Sequence, residues 1–148
     1  MTRRHILLLY QLLLAASDTA TGLLLLAAPA LTLHLMHLAP PPAATLPYLS
    51  YIGAFVLSTG LACLYGAWLT TRPIATHPLS AAKLEAVWLL TAITRALVAI
   101  FVLTQILTGN LATGWLTVAL TDGLIALIQF TGLTQGWLTR GWLANVLS

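Results

Sequence analysis

The sequence predicts an all-α, polytopic membrane protein: one domain, an antiparallel four-transmembrane-helix bundle with both termini cytoplasmic. Three observations predict it. Six cations and three anions occur among 148 residues, so 6% of the chain is charged, against roughly 25% in water-soluble domains. Apolar residues make up 59% and the mean hydropathy is +0.95, so the chain has too little polar surface to cover itself in water. Four separate stretches also reach the length needed to cross a bilayer core, about 20 apolar helical residues. The same arithmetic excludes disorder, a collagen-like chain, a disulfide-stapled module and a nucleic-acid binder. The formal charge of +3 is too small for a basic patch, and Cys63, the single cysteine, cannot form an intrachain disulfide.

The first span is expected over 6–31, with apolar sequence continuing to Leu38. Arg3, Arg4 and His5 followed by an apolar run to Ala16 also resemble a secretory signal peptide. Apolar sequence resumes at Gly22 and completes a crossing, so the segment is expected to stay as a span. The second span is expected over 47–69, after Pro40, Pro41, Pro42 and Pro47. The third is expected over 84–107, after Arg72-Pro73 and His77-Pro78, with Ser80 as the N-cap. The fourth is expected over 112–138, after Gly109-Asn110. Helices are preferred to strands because the runs are long and rich in leucine and alanine. Within lipid, moreover, a helix bonds all its own backbone amides. Short connections make consecutive helices antiparallel neighbours.

Orientation follows from the cations. Arg3, Arg4, Arg72, Lys83 and Arg140 fall at the N-terminus, between spans two and three, and after span four, while the other two connections carry none. The positive-inside rule then places both termini and the middle connection in the cytoplasm. Tyr48, Tyr51 and Trp115 mark the outer edge; Tyr10, Tyr65, Trp68, Trp88, Trp137 and Trp142 lie at or near the inner one.

Three charges do not sit at span ends. Asp18, Arg95 and Asp122 fall near the middle of spans one, three and four. A lone charge there costs about 2.5–3.5 kcal/mol on insertion scales, so the three are expected to face inward and satisfy one another as an intramembrane charge cluster. Helical spacing groups Gln11, Ala15, Asp18 and Gly22 on span one, and Trp88, Ala92, Arg95 and Ala99 on span three. It likewise groups Trp115, Ala119, Asp122, Ala126 and Gln129 on span four. Gln11 and Gln129 each stand seven residues from their aspartate, about 10 Å along the helix and on the cytoplasmic side, as supporting polar groups. Two readings of the cluster stay open. It is a proton, ion or substrate site, or it is a structural ion-pair network that fixes helix register.

Span two carries no charge but has a ridge of small residues at Ala54, Ser58, Ala62 and Gly66, with Gly53 and Gly60 forming a second stripe beside it. Small-xxx-small ridges allow close helix approach; one is expected to pack inside and the other to meet a partner. His34 and His37 share a helical face if the helix continues, which makes them weak candidates for a metal, but two ligands do not define a site. Glu85 reads as an interfacial acid near the N-terminus of helix three. No nucleotide, zinc-protease, redox or nucleophile-elbow motif occurs, so no catalytic residue and no cofactor are expected.

The Gly22 glycine that follows Asp18, Thr94-Arg95-Ala96 and Thr121-Asp122-Gly123 carry a resemblance along most of the chain to the small four-helix bacterial membrane proteins of the DoxX-like group. The resemblance implies the fold class alone and transfers no catalytic residue; the expected location is a bacterial cytoplasmic (inner) membrane. Relatives of that group are implicated as subunits of quinone-linked oxidoreductases. The two small-residue ridges and the missing motifs make the expected function a non-catalytic accessory subunit that packs on a larger membrane complex, an electron-transfer one on this resemblance. The alternative is a stand-alone carrier or enzyme for a proton or a small lipophile such as quinone, working at Asp18, Arg95 and Asp122. The expected partners are the lipid bilayer and other membrane subunits, or copies of the same chain.

Overall fold

A computed structural model describes residues 3–39, 41–72 and 79–138, and it is all-helical over them. The elements in order are α1 (Arg3–Ala27), α2 (Pro29–Leu35), α3 (Leu46–Thr71), α4 (Ser80–Leu107) and α5 (Leu116–Thr134), with single 3-10 turns at Ala43–Thr45 and Thr113–Trp115 leading into α3 and α5. Pro40, Pro73, His77, Pro78, Arg140 and Trp142, and the side chain of Arg3, lie outside the described residues. Among the described residues four helices are long and apolar enough to cross a membrane: Arg4–Ala27, Ala43–Thr71, Ser80–Leu107 and Thr113–Thr134.

Helix ends depart from the expected spans where backbone chemistry overrides hydropathy. The first span was expected to reach Leu31, but α1 stops at Ala27 and a short α2 restarts at Pro29. Pro29 has no amide hydrogen, and its ring disfavours helical backbone at the residue before it. Ala28 accordingly leaves the helix, at φ −146° and ψ 62°. The fourth span was expected to reach Leu138, but α5 ends at Thr134. Gly136 follows in a left-handed conformation, φ 66°, with Gly136 N–H donating to Leu133 O and Trp137 N–H to Gly132 O. That pair of bonds closes a helix end as a Schellman motif. The same closure ends α4 at Gly109 (φ 76°) and α2 at His37 (φ 57°). Ser80 is the first residue of α4 and buried there. It is not the cap; that place belongs to Leu79, whose carbonyl accepts from Lys83 N–H.

The residues divide into two compact units. Leu9–Tyr65 forms one of them, built on α1 against α3. Gly22 of α1 packs on Leu57, Gly53 of α3 on Leu25 and Leu26, and Gly60 of α3 on Thr19. Partner numbers fall on one helix as they rise on the other, so the two helices run antiparallel. Glycine on alternating sides of the seam lets the backbones approach directly, because a Cβ at Gly22 would sit 2.4 Å from Leu57 N.

The described residues of 1–8 and 66–148 form the second unit, dominated by α4 against α5. Ser80, Leu84, Trp88, Thr91, Ala92, Arg95 and Val102 form the buried face of α4. Ala119, Ala126, Gln129 and Gly132 form that of α5. Leu90, Leu97 and Phe101 on α4, and Leu120, Leu124 and Leu127 on α5, are exposed. Polar Thr91, Arg95 and Gln129 inside, with many large apolar side chains outside, is a distribution that lipid accepts and water penalises.

Candidate functional site

The α4–α5 seam contains a mid-helix ion pair. Arg95 sits at the middle of the buried face of α4, because helical spacing from Trp88 through Thr91 to Arg95 keeps all three on that face. Its Nη1 donates to Asp122 Oδ1 at 2.5 Å. The Arg95 side chain is 6% exposed and that of Asp122 17%, so the pair is largely withdrawn from the surroundings. A guanidinium has no neutral form at ordinary pH, so at this depth it needs a carboxylate.

A second polar rung lies about 10 Å further along α5 by helix rise. Gln129, fully buried, donates from Nε2 to Thr91 Oγ1 at 3.0 Å. Thr91 passes its own hydroxyl hydrogen back to the carbonyls of Val87 (2.8 Å) and Trp88 (3.2 Å). Gln129 Oε1 has no hydrogen-bond partner among the described residues. Beyond this rung, Trp88, 1% exposed, covers Gly132, where a Cβ would come within 2.6 Å of the indole and 2.9 Å of Trp137. Trp88 was expected near the inner membrane edge and on the inward face; it lies on the buried face of α4. Ala99 with Gly123, Arg95 with Asp122, Thr91 with Gln129 and Trp88 with Gly132 make a ladder. From Arg95 with Asp122 through Thr91 with Gln129 to Trp88 with Gly132, numbers fall on α4 as they rise on α5, which makes this hairpin antiparallel.

The other polar residues expected in the cluster belong to the first unit. Asp18 is half-buried and Gln11 fully buried, on one stripe of α1 with Leu14, Ala15 and Gly22. Neither Nε2 nor Oε1 of Gln11 has a hydrogen-bond partner among the described residues.

No protein-family model, curated protein or solved structure matches this chain. Its chemistry therefore rests on its own residues.

The small-residue ridge of α3 does not keep to one side. Ala54 and Ser58 are exposed, Ala62 is half-buried and Gly66 is buried. At 3.6 residues per turn a step of four overshoots by about 40°, so three steps carry the row about 120° round the helix. Gly53 and Gly60, the neighbouring stripe, form the contact with α1.

His34 and His37 do not share a helical face. His34 lies in the last turn of α2, and His37 stands past its end in the left-handed closing position. Among the described residues no group of three or more His, Cys, Asp or Glu side chains is arranged to hold a metal ion.

Sequence reasoning missed Thr91 as the acceptor for Gln129, and Gly132 as the seat of two indoles. The signal for Thr91 was present: it is one turn from Arg95 on the face already assigned to the interior.

Proposed function

We propose that this chain is a non-catalytic integral membrane subunit that packs on a larger membrane complex, and that its docking face is the outer part of α3. One observation carries the reading: Ala54 and Ser58 are exposed, although the adjacent stripe of Gly53 and Gly60 is occupied by α1. Lipid gains little from a row of small side chains, whereas another helix gains close backbone approach. The Ser58 hydroxyl donates to Phe55 O at 2.7 Å, so it costs little in an apolar contact. Exposed Tyr51 and Phe55, packed edge to face at 4.9 Å, flank the ridge with the rigid aromatic surface that interfaces favour.

In this reading the two antiparallel hairpins join as one four-helix bundle with both termini cytoplasmic, in a bacterial inner membrane. Asp18 joins Arg95 and Asp122 in one charge layer. Support comes from depth: Asp18 is the fifteenth residue of its 24-residue candidate span, Arg95 the sixteenth of 28 and Asp122 the tenth of 22. The resemblance to DoxX-like proteins points to an electron-transfer complex as the host.

The test is extraction of native membranes in mild detergent followed by blue-native electrophoresis. The chain is expected to run within a larger complex, and an Ala54→Leu/Ser58→Leu variant to fold and run alone. Migration of the unaltered chain by itself, or an unchanged complex in the double variant, contradicts the proposal.

A second reading is favoured by Gln11, whose buried carboxamide needs water or a ligand to complete its hydrogen bonds. It is a stand-alone carrier or enzyme for a proton or a small lipophile such as quinone, acting at the charge layer. Under that reading Asp18→Asn abolishes flux or turnover in proteoliposomes while the helices remain folded, and the chain needs no partner.

A further inference from the structure

We propose that Arg4 and Arg72, gathered at the C-terminal end of α3, form a binding site for the phosphodiester of an anionic phospholipid. The last carbonyls of a helix have no intrahelical donor and carry the negative end of its dipole. At α3 these carbonyls attract Arg4, which reaches across from the first turn of α1. Its Nε donates to Thr70 O at 2.9 Å and its Nη2 to Thr71 O at 2.6 Å. Two of the five guanidinium N–H groups are thereby used, and the other three have no partner among the described residues. The very next residue, Arg72, lays its guanidinium 4.3 Å from the centre of the Trp68 ring.

Two guanidinium groups thus share the last turn of one helix. Neither forms an ion pair among the described residues; Glu85, the one acid outside the span middles, bonds to neither. Like charges so placed call for an anion.

Depth selects which anion. Arg4 opens one candidate span and Thr71 closes another, so both cations stand at headgroup level. Trp68, 48% exposed, has the amphipathic ring that prefers the same boundary. A forked guanidinium matches two oxygens of a phosphodiester, and an arginine held flat on an indole is already oriented for one. A zwitterionic lipid offers the same phosphate but brings its own cation against the arginines, so the site discriminates for net negative headgroups.

The test uses the full-length purified chain. Native mass spectrometry counts retained phosphatidylglycerol against phosphatidylcholine, and the thermal midpoint is followed as each lipid is added in detergent. Phosphatidylglycerol is expected to be retained preferentially and to raise the midpoint. Arg72→Gln, which leaves the Arg4–carbonyl bonds intact, is expected to weaken that binding about fivefold without changing phosphatidylcholine retention. Inorganic phosphate at equal concentration is expected to leave the midpoint unmoved. Equal retention of the two lipids, an Arg72→Gln chain that binds phosphatidylglycerol as before, or stabilisation by inorganic phosphate to the same extent each overturns the proposal.

Discussion

Replacing Asp122 by leucine is expected to cost about 3–5 kcal/mol of stability, the usual penalty for breaking a buried ion pair from one side. Arg95 is 5% exposed and would lose a directly bonded carboxylate while remaining charged. Reversible unfolding in mixed detergent–SDS micelles measures the loss. Asp122→Asn, which keeps an acceptor oxygen but removes the charge, is expected to fall between the wild type and Asp122→Leu. Arg95→Met/Asp122→Leu is expected to recover part of the loss, because no guanidinium is left stranded beside the missing carboxylate. A loss below about 1 kcal/mol for Asp122→Leu would mean that Arg95 draws little from this bond. The proposed participation of Asp18 adds a signature. Asp18→Asn and Asp122→Asn each leave one counter-charge, whereas the double variant leaves none, so the combined loss should exceed the sum of the single ones.

The second large effect concerns glycines that look alike in the sequence and differ in what surrounds them. Gly22→Ala and Gly123→Ala are expected to act in opposite directions. At Gly22 the new Cβ would fall 2.4 Å from Leu57 N and 2.6 Å from its Cα. Those are backbone atoms, which no rotamer change can move aside, so α1 and α3 must separate. A cost of about 1–3 kcal/mol is expected from overpacking. At Gly123 the new Cβ meets only Ala99 Cβ, at 3.6 Å, an ordinary contact. There the better helix propensity of alanine is expected to dominate, with a gain of up to about 1 kcal/mol. Thermal midpoints of the two variants in one detergent decide the matter, and equal tolerance at both positions would contradict the seam described for α1 and α3.

Hydropathy located the four long helices because a crossing demands a continuous apolar run, and nothing else in so uncharged a chain competes with that signal. It located their ends less well. Pro29 and Gly136 were visible, but each lies inside an apolar stretch, and backbone constraints at single residues do not register in an average over twenty. His37 is a similar case: the left-handed position that closes α2 favours glycine, so a histidine there gave no sign that the helix stops before it.

Within the candidate site, the pairing of Arg95 with Asp122 was legible from cost alone, since a mid-span charge must find its opposite. The Gln129–Thr91 rung was not legible. Threonines abound in this sequence, and most of the other described ones bond a carbonyl three or four residues back in their own helix, as Thr94, Thr104 and Thr134 do. Only the register of α4 against α5 distinguishes Thr91. The two small-residue stripes of α3 were equally plain in the sequence. Which of them meets α1 depended on helix rotation, and the drift of a four-residue row took Gly66 inward while leaving Ala54 and Ser58 outside.

The most direct measurement is disulfide trapping across the α4–α5 seam, because the register there holds Arg95 opposite Asp122. An Ala99→Cys/Gly123→Cys chain, with Cys63 replaced by alanine, would bring two Cβ atoms to about 3.6 Å, inside the range of natural disulfides. Oxidation in the membrane is expected to give a near-quantitative intramolecular bond, with Arg95 and Asp122 intact and the thermal midpoint raised. Failure of that bond to form, together with ready cross-linking of Ala99→Cys to a cysteine placed one helical turn away at Leu127, would mean that α5 lies in another register and that the mid-span pair is not the one described.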